Sequence, residues 1–378
     1  MTTDQITSTP GDGPTDDEPI DDEPIDDGFR PLRVAAIDHD TDDSVVITFD
    51  RDDRRLRFEH GQHLTLRHEF DGVELRRSYS ICSRAPDGPL RIALRRVPGG
   101  VFSTWASTEL RVGDSIDALP PLGHFTHRID PTNTGTYAAL AAGSGITPIL
   151  SIVSTILAAE PESQVSLLYL NRSSQTTMLL DELHDVRDRH LGRLSIAFAF
   201  TREETGGELL SGRPDRARIE RWIDTGLLPA DADHAFLCGP IEMTNDARDA
   251  LIAAGMDAEH IHREIFTTKQ QGTATLAPQE ITETSVAVAT GRATLHGRAT
   301  QFDLYEGDSV LDAVQRVRPD APFSCRSGVC STCQAVVRDG SVDMAVNYGL
   351  SDDEVARGYV LTCQSTPTTD HLDVDFDA

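Results

Sequence analysis

The spacing of hydrophobic and polar positions changes character twice along this chain of 378 residues. Between positions 29 and 130 the apolar residues come in short β-rich runs. Residues 45–49 and 62–66 are such runs, and residues 90–96 alternate apolar and basic positions as a half-buried strand does. Asp71-Gly72 is a hairpin turn signal. Many short strands in so little chain predict an antiparallel β-barrel. Between 131 and 267 the apolar runs lie at 137–142, 165–170, 194–200 and 234–238. Helical stretches separate them, among them 149–159 and 243–254, the latter closed by Gly255. This alternation predicts a doubly wound parallel sheet. From 283 to 378 the pattern gives two alternating strands, a short helix near 310–317 and a turn at Asp339-Gly340. The fold class is therefore multidomain, α+β and α/β.

Two stretches have no apolar period. Residues 1–28 form an acidic tail: positions 1–27 carry ten acidic residues and no Lys or Arg, with Asp-Asp-Glu-Pro-Ile written twice. Self-repulsion without a hydrophobic face predicts disorder. Residues 268–282, rich in Gln, Thr, Gly and Pro, read as a linker. An uncharged run at 131–159 has the hydropathy of a membrane span. However, Gly143-Ser144-Gly145 and Thr147-Pro148 break it into a strand, a turn and a helix start. The net charge of −28 argues against nucleic acid and anionic membranes as partners. No signal peptide is visible, so a reducing cytoplasm is expected.

Chemistry concentrates in four cysteines. Cys325, Cys330 and Cys333 are spaced C-x4-C-x2-C, and Cys363 lies far downstream. This is the plant-type spacing for a [2Fe–2S] cluster. Gly328 and the small Ser324, Ser327, Ser331 and Thr332 let the loop turn tightly around it. A structural zinc site would show paired C-x2-C units, and a disulfide framework would need an oxidising compartment. The thirteen histidines form no H-x-x-x-H or H-E-x-x-H pair. No pair of Glu-x-x-His motifs, as a di-iron centre needs, occurs either.

Gly143-Ser144-Gly145-Ile146-Thr147-Pro148 follows a strand and precedes a helix, the logic of a phosphate turn. Arg172 and Ser173, with Arg202, suit the 2′-phosphate of NADPH better than the bare ribose of NADH. Leu237-Cys238-Gly239-Pro240 stands at a strand end, where Cys238 is either functional or a small buried hydrophobe. In the barrel, Arg77-Ser78-Tyr79-Ser80 closes a strand. Gly99-Gly100-Val101-Phe102-Ser103 then opens a helix whose amide end suits a pyrophosphate.

Together these motifs resemble the ferredoxin–NADP reductase superfamily, with a C-terminal β-grasp ferredoxin domain. By that resemblance Arg77 neutralises flavin phosphate, Tyr79 stacks on the flavin and Ser80 hydrogen-bonds near its N5. Cys238 lies beside the nicotinamide, Gly239 leaves room for it, and Glu264 and Phe266 lie near the flavin. Local similarity narrows further, at 71–82, 142–148, 171–175, 347–350 and 358–365. There the chain resembles the reductase subunits of bacterial phenylacetyl-CoA epoxidases. The resemblance implies a relay from NADPH through FAD and a [2Fe–2S] cluster to a di-iron oxygenase component. Other readings are the reductase of a Rieske-type ring or steroid hydroxylase, and a non-enzymatic redox-sensing protein.

Overall fold

The computed structural model describes residues 28–50, 56–204, 207–266 and 286–378. The expected acidic tail, apart from Gly28, and the linker lie outside the described residues.

Six strands form the first sheet: β1 (Arg30–Thr41), β2 (Ser44–Phe49), β3 (His63–Phe70), β4 (Val73–Ser80), β5 (Leu90–Arg95) and β6 (Ser115–Ala118). Their order is β4-β3-β6-β1-β2-β5 and every pairing is antiparallel. A bridge from Ile81 to Ile92 draws the end of β4 back toward β5 and closes the sheet. Asp71 and Gly72 both take positive φ in the β3–β4 hairpin, as a tight primed turn requires. Val34, Ile47, Leu64, Ile92 and Phe102 fill the interior. Helix α1 (Val101–Thr108) follows β5.

The second sheet is parallel. Its elements are β7 (Thr136–Ala142), α2 (Ile146–Ala159), β8 (Gln164–Asn171), α3 (Leu180–Arg189), β9 (Leu194–Phe200), α4 (Arg216–Asp224), β10 (His234–Gly239), α5 (Ile241–Ala253) and β11 (Ile261–Ile265). The order β11-β10-β7-β8-β9 reverses direction between β7 and β10. That is the switch point, where two diverging crossovers leave a crevice at the carboxyl ends of the strands. Both sheet faces are covered, which explains the continuous apolar runs. Ile149, Ile152 and Ile156 of α2 cover one face, and Trp222 and Leu251 of α4 and α5 cover the other.

The third unit holds β12 (Ala289–Leu295), β13 (Arg298–Leu304), α6 (Val310–Val317), β14 (Gln334–Asp339), β15 (Val342–Met344), α7 (Asp352–Ala356), β16 (Tyr359–Leu361), β17 (Ser365–Pro367) and β18 (His371–Asp375). The main sheet runs β13-β12-β18-β14-β16, with β12 and β18 parallel at its centre. Helix α6 lays Val310, Leu311 and Val314 across it. This is the expected β-grasp. Among the described residues no helix is long and apolar enough to cross a membrane, and 131–159 folds as strand, turn and helix.

Candidate functional site: a flavin barrel, a nucleotide crevice and a cysteine loop

The helix starts divide into two kinds. Helices α4, α6 and α7 begin at Asp215, Ser309 and Ser351, whose side chains accept the first free amides. Helices α1, α2 and α5 begin at Gly100, Gly145 and Pro240, with no side-chain cap. Omitting a cap costs about 1 kcal/mol. Three of the four uncapped helices are those that the sequence assigned to cofactor phosphates and nicotinamide, where open N–H groups suit an anion, and the fourth is α3, which begins at Leu179. Gly99, Gly100 and Val101 line a surface groove with Phe70, Thr104 and Trp105. A Cβ on Gly100 would press on Ser103 Oγ at 2.8 Å and on the Val97 carbonyl at 3.1 Å. Ser103 accepts the Val97 N–H at 3.1 Å and fixes the loop behind the groove. These residues fit a dinucleotide pyrophosphate.

Strand β4 splits its motif between two faces, because successive side chains point oppositely. Tyr79 packs near Phe102, ring centroids 5.9 Å apart, and burial pushes its phenol above the ordinary value. Arg77 donates to the Arg76 carbonyl at 2.7 Å. Ser78 turns the other way, to the cysteine loop, and Ser80 turns toward the crevice.

At the switch point the three residues expected at the reacting end converge from three elements. Cys238 and Glu264 are paired in register on β10 and β11. The Ser80 hydroxyl donates to Glu264 Oε2 at 3.2 Å, and the Cys238 thiol approaches the same oxygen at 3.9 Å. Desolvation pushes the Glu264 carboxyl up to about 7, against the lowering effect of both donors. Burial, then the neighbouring carboxylate, pushes Cys238 well above its ordinary value. Gly145 abuts this strand: a Cβ there would lie 2.5 Å from the Cys238 carbonyl oxygen. Gly143 takes φ +55°, and its carbonyl accepts from the Tyr169 hydroxyl. Thr147 donates to the Ser144 carbonyl at 3.0 Å, and Pro148 sits in the first turn of α2. Gly239 keeps Ala142 and Met243 clear of the strand end, and its carbonyl accepts the Phe266 amide at 3.0 Å.

The far end of the crevice holds Arg172 and Ser173 after β8 and Arg202 after β9. The Arg202 amide bonds the Arg172 carbonyl at 2.8 Å, so the two exposed arginines lie on neighbouring strand ends. Sequence reasoning missed Glu203. Its carboxylate takes the Ser174 N–H at 2.7 Å and the Ser174 hydroxyl at 3.0 Å. It is an acid of the kind that binds a ribose 2′-hydroxyl, beside arginines that suit a 2′-phosphate.

The cysteine loop is built around sulfur. Arg326, Gly328 and Ser331 take positive φ. The amides of Ser327 and Cys330 reach Cys325 Sγ at 3.4 Å, the Cys325 amide reaches Cys330 Sγ at 3.4 Å, and Gln364 Nε2 reaches Cys363 Sγ at 3.7 Å. Such donors favour thiolates. Hydrogen bonding between paired sulfurs holds Cys325 and Cys363 below the ordinary thiol value and pushes Cys330 and Cys333 above it. Four sulfurs with aimed amides fit a [2Fe–2S] cluster.

This loop docks on the barrel. Ser78 donates to the Ser324 hydroxyl at 2.9 Å, and Thr65 meets Thr332 at 3.4 Å. Ser324 and Thr332 immediately precede Cys325 and Cys333. Buried Arg76 lies between the Phe323 and Phe29 rings, 4.1 and 4.9 Å from their centroids.

This arrangement defines an oxidoreductase that carries electrons through FAD and a [2Fe–2S] cluster and binds a nicotinamide nucleotide. Family models agree: an oxidoreductase FAD-binding domain at 33–127, an oxidoreductase NAD-binding domain at 139–249 and a 2Fe-2S iron-sulfur cluster binding domain at 293–368. The chain belongs to the family of phenylacetyl-CoA epoxidase reductase subunits, within the ferredoxin–NADP reductase superfamily. It is 40% identical to a subunit of the 1,2-phenylacetyl-CoA epoxidase of Escherichia coli (strain K12), covering 93% of this chain and 98% of that one. It is 32% identical to the ferredoxin reductase component of 3-ketosteroid-9-alpha-monooxygenase of Mycobacterium tuberculosis, covering 92% and 95%. Among solved structures, phthalate dioxygenase reductase shares the fold at 23% identity and a TM-score of 0.55, covering 93% of this chain and 99% of that one.

Proposed function

We propose that the chain is the NADPH-dependent reductase of the di-iron oxygenase that epoxidises the ring of phenylacetyl-CoA. When bound, FAD accepts a hydride from NADPH and returns its electrons singly through the [2Fe–2S] cluster. The contact between β4 and the residues preceding Cys325 and Cys333 supports that route. The client is supported by the near full-length kinship with the Escherichia coli protein. The domain limits we assign are 29–130 for FAD, 131–267 for NADPH and 283–378 for the cluster. The cluster unit has a core of its own, and the barrel and the nucleotide sheet have cores that meet where Val46, Cys82, Ala93 and Phe125 pack with the residues of α2.

In this reading Arg77, Tyr79, Gly99, Gly100, Val101 and Ser103 hold FAD. Gly143, Gly145, Thr147 and Pro148 hold the nucleotide diphosphate, and Gly239, Pro240 and Phe266 shape the nicotinamide slot. Ser80, Cys238 and Glu264 position and polarise the reacting end. Ser78 couples the barrel to the cluster domain. Cys325, Cys330, Cys333 and Cys363 ligate the iron.

Mixing the reductase with the di-iron oxygenase and phenylacetyl-CoA is expected to couple NADPH consumption to epoxide formation. A second client has its own support in the 32% identity to the steroid monooxygenase component. Coupled turnover with a Rieske oxygenase alone would overturn the first assignment.

Arg172→Ala tests the nucleotide preference. Losing one charge-assisted phosphate contact is expected to raise the KM for NADPH about tenfold or more and leave that for NADH nearly unchanged. Equal changes would mean that Glu203, reading a 2′-hydroxyl, sets the preference.

A further inference from the structure

A second cluster of chemically active side chains lies on the face of the nucleotide sheet that carries Cys238 and Glu264, but at the opposite end of the strands. His234 opens β10 and His262 is the second residue of β11. Side chains alternate along a strand, so His234, Phe236 and Cys238 share one face of β10, and His262 and Glu264 share the same face of β11. His234 and Cys238 lie four positions apart, about 13 Å along the strand. His127 reaches the cluster from the segment that joins the barrel to β7.

One ring nitrogen from each of His127, His234 and His262 lies within 4.8 Å of the other two. His262 Nε2 and His234 Nδ1 are 3.2 Å apart. Four nitrogens at about 2.0–2.1 Å from a tetrahedral zinc ion lie about 3.3–3.4 Å from one another. Two of the three imidazoles already have this spacing, and the third offers a nitrogen within 4.8 Å of both. All three are half-buried, and exposed His260 stands 4.7 Å from His234 on the solvent side, leaving a way in. The supporting shell is polar and ordered. His60 Nε2 accepts the His127 backbone N–H at 3.0 Å. Tyr137 Oη lies 3.4 Å from His127 Nε2 and donates to Glu160 at 2.7 Å. Chains of this kind orient ligating histidines.

We infer that His127, His234 and His262 form a binding site for a divalent transition-metal ion of the zinc class, with water or His260 as the fourth ligand. Three imidazoles select such an ion over magnesium or calcium, which prefer oxygen ligands. The ion clips the barrel–sheet connection to the amino ends of β10 and β11, the strands that carry Cys238 and Glu264. No local spacing reveals the site, because its ligands come from three separate segments.

The test uses the full chain loaded with flavin and cluster, stripped of loosely bound metal and dialysed against micromolar zinc. Elemental analysis with iron as internal standard is expected to give one zinc per two irons. A chain carrying His234→Asn and His262→Asn is expected to bind zinc at least about tenfold more weakly while keeping its iron and flavin. Zinc is also expected to raise the melting temperature of the wild type and not of the variant. If the strand substitutions unfold the sheet, His127→Asn, outside the sheet, gives the same readout. No zinc uptake by the wild type, or equal uptake by wild type and variant, overturns the site and leaves three hydrogen-bonded imidazoles.

Discussion

With Cys330 replaced by serine, the reductase is expected to lose its cluster and, with it, at least about 99% of electron delivery to the oxygenase. Serine is a poor ligand at neutral pH, since its hydroxyl does not ionise where a thiol does, and iron–sulfur chemistry selects soft thiolates. Cys330 is the informative position. It is half-exposed, whereas Cys333 is buried in the core with Leu361 and Ala335, so replacing Cys333 would damage packing as well. Reduction of ferricyanide by NADPH, which draws electrons directly from flavin, is expected to stay within about threefold of wild type, because among the described residues the cores of the barrel and nucleotide sheet include none from the cysteine-loop unit. Iron content, cluster absorption and the two turnover assays on one preparation check this. Full electron delivery by a cluster-free variant would show that the flavin reaches the client without the cysteine loop.

The elements that place the site were legible because their cause is local. The runs at 137–142, 165–170, 194–200 and 234–238 became β7 to β10 within a residue or two. A strand buried on both faces has no alternation to misread. The helix at Val310–Val317 is marked by its own capping box, and Asp71-Gly72 by the positive φ it needs. What could not be read was contact between segments. Ser78 and Ser324 lie 246 positions apart, and Ser80 and Glu264 lie 184 apart. Small hydroxyls on domain surfaces carry no periodic signal. For that reason Ser78, grouped with the flavin by its motif, proved to face the cluster loop, and Glu203 passed unnoticed beside the arginines. The histidine cluster was hidden in the same way: adjacent strands brought together residues with no common spacing.

Glu264→Gln is expected to separate activity from stability. Burial raises the Glu264 carboxyl from its ordinary value of 4.5 to about 7, so it is largely neutral at pH 6 and largely ionised at pH 8. Hydride loss leaves a nicotinamide ring cationic, and an anion facing it stabilises that charge. Flavin reduction by NADPH in the wild type is therefore expected to rise about tenfold from pH 6 to pH 8, following the ionised fraction. The variant is expected to be flat over this range and about 10- to 100-fold slower at pH 8. Stability runs the other way. A folded pKa above the unfolded one means that folding favours the neutral carboxyl. Its contribution is intact below about 4.5 and is lost as pH rises through 7. An amide in its place carries no such loss and still accepts from Ser80, so the variant is expected to melt higher than wild type at pH 8 and no higher at pH 4. Stopped-flow flavin reduction and thermal melts at the two ends of the range check both halves. A variant that keeps the wild-type pH profile would remove Glu264 from the reacting end and leave the Ser80–Glu264 hydrogen bond as a domain contact only.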